Sequence, residues 1–207
     1  MNQPSQFWDK LAHGYAEKPV DDEAAYQRKL KETQALFTPD MRLLEFGCGT
    51  GTTAIHHAPL VESIVALDFS QKMIEIGQDK AQKAQISNIH FHQSTLEDFE
   101  IETDSFDVVL GLNILHLVTN RNETIKEAYR ALKPGGYFVS STVCLGHSYL
   151  RLIKWLVPLG KRLGKLPDLF IIKDEELIKE LQNEGFTIEN HWTHGSGETC
   201  SFIIARK

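Results

Sequence analysis

The chain is poor in cysteine and does not use it in pairs. Cys48, Cys144 and Cys200 stand far apart, with no C-x-x-C pair to hold zinc and no even set for a disulfide framework. A reducing, cytoplasmic setting is therefore expected. No run of about eighteen apolar residues escapes a charge, and the opening MNQPSQFWDK has no basic stretch leading into an apolar one, so neither a membrane span nor a secretory leader is expected. Pro-, Ser- or Gly-rich linkers and internal repeats are also lacking, which points to one folded unit over residues 1–207 rather than two domains or an array. Positive charge is in deficit: 22 Lys and Arg against 28 Asp and Glu give a net charge of -6. A polyanion would be repelled, so nucleic acid is disfavoured as a partner. What is present, 42% hydrophobic and 24% charged residues, suffices for one buried core.

The apolar pattern alternates between two periods. Gln6 to Tyr15 and Asp22 to Phe37 carry apolar residues at helical spacing, and Thr38-Pro39 stops the run, so N-terminal helices are expected within residues 5–37. Met41 to Phe46 then reads as a strand ending in a glycine cluster, with a helix from about Thr52. The run SIVALD is a second strand, followed by Ser70 as N-cap and a helix from Gln71 to Gln85. Ile89 to His92 and SFDVVLGLN are further strands. A helix from about Asn122 to Leu132 stops at Lys133-Pro134-Gly135-Gly136, and a fifth strand runs from Tyr137 to Val143. Asp174 to Glu184 is helical, and Phe186 to Trp192 with Cys200 to Ala205 forms a hairpin. Strands alternating with helices give an α/β fold, a parallel sheet covered on both faces with its ligand site at the carboxyl ends of the strands.

At one such end stands Glu45-Phe46-Gly47-Cys48-Gly49-Thr50-Gly51. Glycine at every second position lets the backbone turn sharply and leaves it bare for a ligand. Asp68 closes the next strand, where a carboxylate can accept hydrogen bonds from ribose hydroxyls held over the turn. A turn and a cap are the plainer reading of each feature alone; together, within one strand-helix unit, they suggest a nucleoside-bearing cofactor.

LLEFGCGTGTT resembles the glycine-rich motif of class I S-adenosylmethionine-dependent methyltransferases, an acidic residue followed by Gly-x-Gly-x-Gly. VALDFS, SFDVVLGLNILH and LKPGGYFV follow in the family's order, so the resemblance covers residues 41–143. It implies a Rossmann-like, mostly parallel seven-stranded sheet with helices on both faces and a C-terminal antiparallel hairpin, and S-adenosylmethionine as cofactor. By the same resemblance Glu45, Phe46, Gly47, Cys48, Gly49 and Gly51 form the turn that cradles the methionine part. Asp68 matches the ribose ligand. Phe69 and Met73 match positions that pack on adenine, though core packing is an equal reading of Met73. Many relatives carry an acidic residue after the third strand; here Ser94, Thr95 and Leu96 stand there instead. Asn113 and His116 fall where the family lines the methyl-transfer site, and Tyr15 matches a position that closes over the methionine end.

A sulfonium already activates its methyl group, so such an enzyme mainly aligns a nucleophile in line with the methyl-sulfur bond and excludes water. Where a proton must leave, His116 is the candidate base, since its reference pKa lies near neutrality. The other histidines lack a matched carboxylate or cysteine set, so no metal site is expected. The Asn/Asp-Pro-Pro-aromatic motif of amino-methylating nucleic-acid enzymes is missing, the matching positions reading Leu112-Asn113-Ile114-Leu115, and no Pro-Cys nucleophile occurs. A small-molecule or lipid-like acceptor, quinones included, is favoured. A helical lid is expected at about 147–168. Within it, residues 148–167 carry Arg151, Lys154, Lys161, Arg162 and Lys165 with no acid, either a solvated lid face or a contact with a membrane surface or anionic acceptor. Two other functions share the features: a NAD(P)-binding oxidoreductase, which also uses a glycine turn and a downstream acid, and a non-catalytic protein that binds S-adenosylmethionine.

Overall fold

The computed structural model describes residues 3–144, 170–195 and 197–207. The expected lid at 147–168 and its basic segment lie outside the described residues. Seven strands form one sheet in the order β3-β2-β1-β4-β5-β7-β6. β1 (Arg42–Phe46), β2 (Ser63–Asp68), β3 (Ile89–Gln93), β4 (Phe106–Leu112) and β5 (Leu132–Val143) run parallel. β7 (Cys200–Arg206) pairs antiparallel with β5, and β6 (Thr187–His194) pairs antiparallel with β7 at the edge. This is the expected mostly parallel sheet with an antiparallel C-terminal hairpin, β7 entering between β5 and β6.

Strand composition follows position. β1 and β4 sit in the middle, covered on both faces, and read as nearly continuous apolar runs, whereas β3 at the edge alternates half-buried and exposed residues. One face (Leu44, Phe46, Val109, Phe138, Ile203) packs on α5 (Arg121–Ala131) and α6 (Asp174–Glu184) through Ile125, Ala128, Leu177 and Leu181. The other face (Leu43, Val108, Leu110, Val139, Phe202) packs on Ala54 and Ala58, from α3 (Thr52–His57) and the 3-10 turn behind it. Two helices precede the sheet, α1 (Gln3–Glu17) and α2 (Glu23–Gln34), and α4 (Gln71–Lys83) follows β2.

The sequence places the start of β5 too late. Its first residue is Leu132, directly after α5, paired with Phe106; the next pair, Val108 with Tyr137, skips Lys133–Gly136. Proline and two glycines do not end the strand there but make an irregularity within it. Gly135 takes φ +80, and a Cβ at Gly136 would lie 2.8 Å from the Asp107 carbonyl oxygen.

Two remote contacts fix the N-terminal helices. Asp9 on α1 accepts from Ser70 Oγ at 2.6 Å and from Lys72 N at 3.2 Å, while Ser70 Oγ itself accepts from Met73 N, so α1 shares the N-cap of α4. On α2, Glu32 accepts from Trp192 Nε1 (2.7 Å) and Asn190 Nδ2 (2.8 Å) of β6, and Arg28 lies over the Trp192 ring. Among the described residues no helix is long and apolar enough to cross a membrane.

Candidate active site

The carboxyl ends of β1, β2, β4 and β5 meet at one rim of the sheet, and the glycine turn lies on it. Gly47, Gly49 and Gly51 have φ of +64, +53 and +69, a region where a side chain is strained. The space a Cβ would need is also taken. At Gly47 it would meet Ile114 Cγ1 at 2.7 Å and at Gly51 Phe91 Cε1 at 2.7 Å, while at Gly49 the Tyr15 ring lies 3.7 Å away. The turn is held from behind by Cys48 N donating to Leu67 O at 2.9 Å. Lys80 adds bonds to the hydroxyls of Thr50 and Thr52.

Two acids meet this turn. Asp68 accepts from Gly49 N through Oδ2 and from Ser70 N through Oδ1, each at 2.9 Å. Each oxygen keeps a further lone-pair direction for a hydroxyl donor. Burial raises the Asp68 pKa, the two backbone N–H groups oppose that, and Asp9 adds to it. Glu45 is buried, and its Oε2 has no hydrogen-bond partner among the described residues. Burial first, and then the Asp68 charge, push its pKa up to about 8. Tyr15, half-exposed on α1, stands over Gly49, and its pKa is raised by burial and by Asp68.

The remaining expected site residues divide. The Phe46 side chain is in the core, stacked 6.4 Å from Phe138, so only its backbone reaches the turn. Cys48 packs with Ala66 and Ile74, its thiol pushed well up by burial. Met73 and Leu96 are almost fully buried, while Phe69, beyond Asp68, stays partly accessible. Ser94 N donates to Asp68 O, and Ser94 Oγ to Thr95 O; Thr95 Oγ1 donates to Asp98 and accepts from Asp98 N, closing its own turn. Those two hydroxyls thus serve the loop.

Past β4, Asn113 takes φ +57, uncommon for a residue with a side chain and best tolerated by Asn or Asp. Its N donates to Ser141 O at 2.6 Å, joining the ends of β4 and β5. His116 is buried with Nδ1 unpartnered among the described residues, and burial lowers its pKa to about 4. It is therefore neutral across the physiological range, and burial opposes its taking a proton. Beside Asn113 the structure brings in a residue the sequence reading missed. Lys29 of α2 donates to Ser141 Oγ at 3.3 Å, which donates to Asn113 Oδ1 at 3.3 Å. A lysine on an amphipathic helix reads as solvated, and nothing local marks one that faces a strand more than a hundred residues away. Ile114, against Gly47, was missed for the same reason. No three His, Cys, Asp or Glu side chains among the described residues gather so as to hold a metal ion.

The model of the family described as "Methyltransferase domain" matches residues 37–199. The chain is 34% identical over 116 residues to the ubiquinone/menaquinone biosynthesis C-methyltransferase UbiE of Geotalea daltonii, covering 54% of this chain and 49% of that protein. It is 33% identical over 144 residues to the 27-O-demethylrifamycin SV methyltransferase of Amycolatopsis mediterranei, covering 63% and 50%. The chain thus spans about half the length of these curated relatives. Among solved structures, an S-adenosylmethionine-dependent methyltransferase of Thermotoga maritima superposes with a TM-score of 0.72 at 22% identity, over 98% of this chain and 99% of that one. YcgJ of Bacillus subtilis gives 0.72 at 18% identity over 87% and 98%. The fold agrees in both cases, and the family match extends through the glycine turn, Asp68 and the β4 end. The chain belongs to the class I S-adenosylmethionine-dependent methyltransferases.

Proposed function

We propose that the protein transfers the methyl group of S-adenosylmethionine to a small organic acceptor by in-line displacement. The observation that carries this reading is the buried Glu45 carboxyl with its unpartnered Oε2 at the mouth of a turn whose three glycines leave the backbone bare. That pair of features fits a cofactor with a cationic amino-acid end. The cofactor, when bound, supplies an activated methyl group. Gly47, Gly49 and Gly51 receive its methionine part, Glu45 attracts its positive charge, and the free lone pairs of Asp68 accept from its ribose hydroxyls. Phe69 and Met73 form the apolar adenine wall, with Ser94, Thr95 and the Leu96 backbone at its edge. Tyr15 covers Gly49 and keeps water out. Asn113 orients the acceptor, and the neutral His116 is left as a hydrogen-bonding group rather than a strong base.

Relatives named for ubiquinone/menaquinone biosynthesis and for 27-O-demethylrifamycin SV support an organic acceptor, quinone- or lipid-like acceptors among them. A single cytoplasmic domain belongs to the same reading, as does contact of the basic segment 148–167 with an anionic surface. Failure to co-sediment with anionic vesicles at low salt would remove that last element. The main test is calorimetric titration with S-adenosylmethionine, S-adenosylhomocysteine and NAD in parallel. Binding of the first two and not NAD is expected. Binding of NAD alone would overturn the reading in favour of an oxidoreductase, and turnover with any acceptor would exclude a merely binding protein.

A further inference from the structure

Lys29 of α2 is half-buried where it meets β5. Burial lowers its pKa. Among the described residues it makes no ion pair; its hydrogen bond goes to the neutral Ser141 hydroxyl. Asp22 acts on it from a distance without pairing with it: Oδ1 accepts from Ala25 N at the N-cap of α2, and Oδ2 lies 3.6 Å from His194 Nδ1. The other influence on it, the Cys200 thiol, has a raised pKa and is neutral near pH 7.

Lys29 lines a cavity of about 40 Å³ between α2, α3 and the ends of β4 and β5, together with Tyr26, Thr53, His57, Asn113, Ser141 and the apolar Leu30 and Leu112. One water needs roughly 10–15 Å³ by a comparable measure, so the cavity takes a single functional group and not a whole acceptor. Among the described residues its lining has no carboxylate. The Tyr26 and Thr53 hydroxyls lie 3.4 Å apart and can turn toward a guest, the Asn113 amide adds donors, and His57, its pKa lowered to about 3, brings no charge. One cation, several donors and no anion form the complement of an oxyanion.

The cavity lies at the ends of β4 and β5, where Lys29 is bonded to β5 and through it to Asn113; Asp22 and Cys200 act on the Lys29 charge, while Glu45 acts on Tyr26 in the same lining. Resting on the methyltransferase reading, we propose that Lys29 is a specificity-determining residue and the counter-ion of an anionic oxygen, carboxylate or phenolate, on the methyl acceptor. The protein then takes acidic small molecules in preference to neutral or cationic ones.

The test compares the wild type with Lys29→Met and Lys29→Arg, each saturated with S-adenosylhomocysteine and shown by circular dichroism melting to be folded. Benzoate and 4-hydroxybenzoate, with benzamide and benzylamine as the matched neutral and cationic probes, are titrated by saturation-transfer NMR. The acids should bind the wild type, lose about 10- to 100-fold in affinity in Lys29→Met and recover part of it in Lys29→Arg, while benzylamine binds no variant. Acid binding indifferent to Lys29→Met, benzylamine binding as well as benzoate, or no binding by either acid would overturn the proposal. So would a comparable loss of S-adenosylhomocysteine affinity in Lys29→Met, which would assign the cavity to the cofactor's own carboxylate. If S-adenosylhomocysteine fails to bind the wild type while benzoate still depends on Lys29, the methyltransferase reading falls and the anion site stands.

Discussion

Glu45 shows what a single carboxyl costs when it is buried with an oxygen that no described residue partners. Its pKa of about 8 in the folded protein lies above the ordinary 4.5. The native state therefore holds a proton that the unfolded chain releases between those values. Its contribution to stability is full below the ordinary pKa and is lost as the pH rises through the folded one. Glu45→Gln removes the titration while keeping the shape, so it should stabilise the unliganded protein by on the order of 2 to 3 kcal/mol at pH 7 and by little at pH 5. The same variant should bind S-adenosylmethionine about tenfold or more weakly. Thermal melts across that pH range, beside calorimetry of binding, read both effects; equal melting at pH 7 would mean that Glu45 is already ionised and paired. Asp68 differs because its oxygens already serve the backbone. Asp68→Ala leaves the Gly49 and Ser70 N–H groups without their acceptor, so it should cost about 1 to 3 kcal/mol of folding stability as well as cofactor affinity. An affinity loss with an unchanged melt would show that those two N–H groups find other partners.

At the scale of elements, α1 reaches the site through a cap it shares. Asp9 completes the N-terminus of α4 with Ser70, and the hydrogen bonds Ser70 Oγ to Asp9 and Ser70 N to Asp68 put α1, α4 and Asp68 in one chain. Asp9→Ala should loosen α1 and carry Tyr15 away from Gly49. Amide exchange over residues 3–17 should then quicken, and S-adenosylhomocysteine affinity should fall about three- to tenfold, with β1 and β2 unchanged in protection. Faster exchange without any change in affinity would leave α1 a merely structural helix. This cap also marks how far the sequence could be read. Ser70 is a local N-cap signal and was legible, as were the bounds of β2 and α6 and the glycine turn, because apolar period, capping residues and glycine spacing are properties of adjacent residues. Asp9, Lys29 and Ile114 were not legible, since each acts on an element remote in the chain and looks like an ordinary helix or loop residue where it stands. The early start of β5 was hidden by Pro134 and two glycines, which read locally as a stop and are absorbed by an irregular pairing with β4.

Across the whole molecule the second helix and the C-terminal hairpin are tied together, and the hairpin is tied to the middle of the chain. β7 enters between β5 and β6, so the last strand is a neighbour of the fifth, and Lys207 Nζ donates to the carbonyls of Tyr129 and Leu132 at the end of α5. On the opposite face Glu32 of α2 holds β6 through Trp192 and Asn190. With N-terminal helix and C-terminal hairpin joined in this way, neither has a cooperative unit of its own to unfold in, and a single transition with equal calorimetric and van 't Hoff enthalpies is expected. Glu32→Ala tests the coupling because alanine favours the helix and removes only the bonds to β6 and to Arg28. The Glu32 carboxylate is partly exposed and screened, so its loss should cost about 1 to 2 kcal/mol and lower the midpoint by about 3 to 6 °C. The transition should stay single, since the sheet that carries β6 also carries the core of both faces. A split into two transitions would show that α2 or the hairpin melts independently, and the Lys29 cavity, which α2 closes, would then open before the glycine turn does.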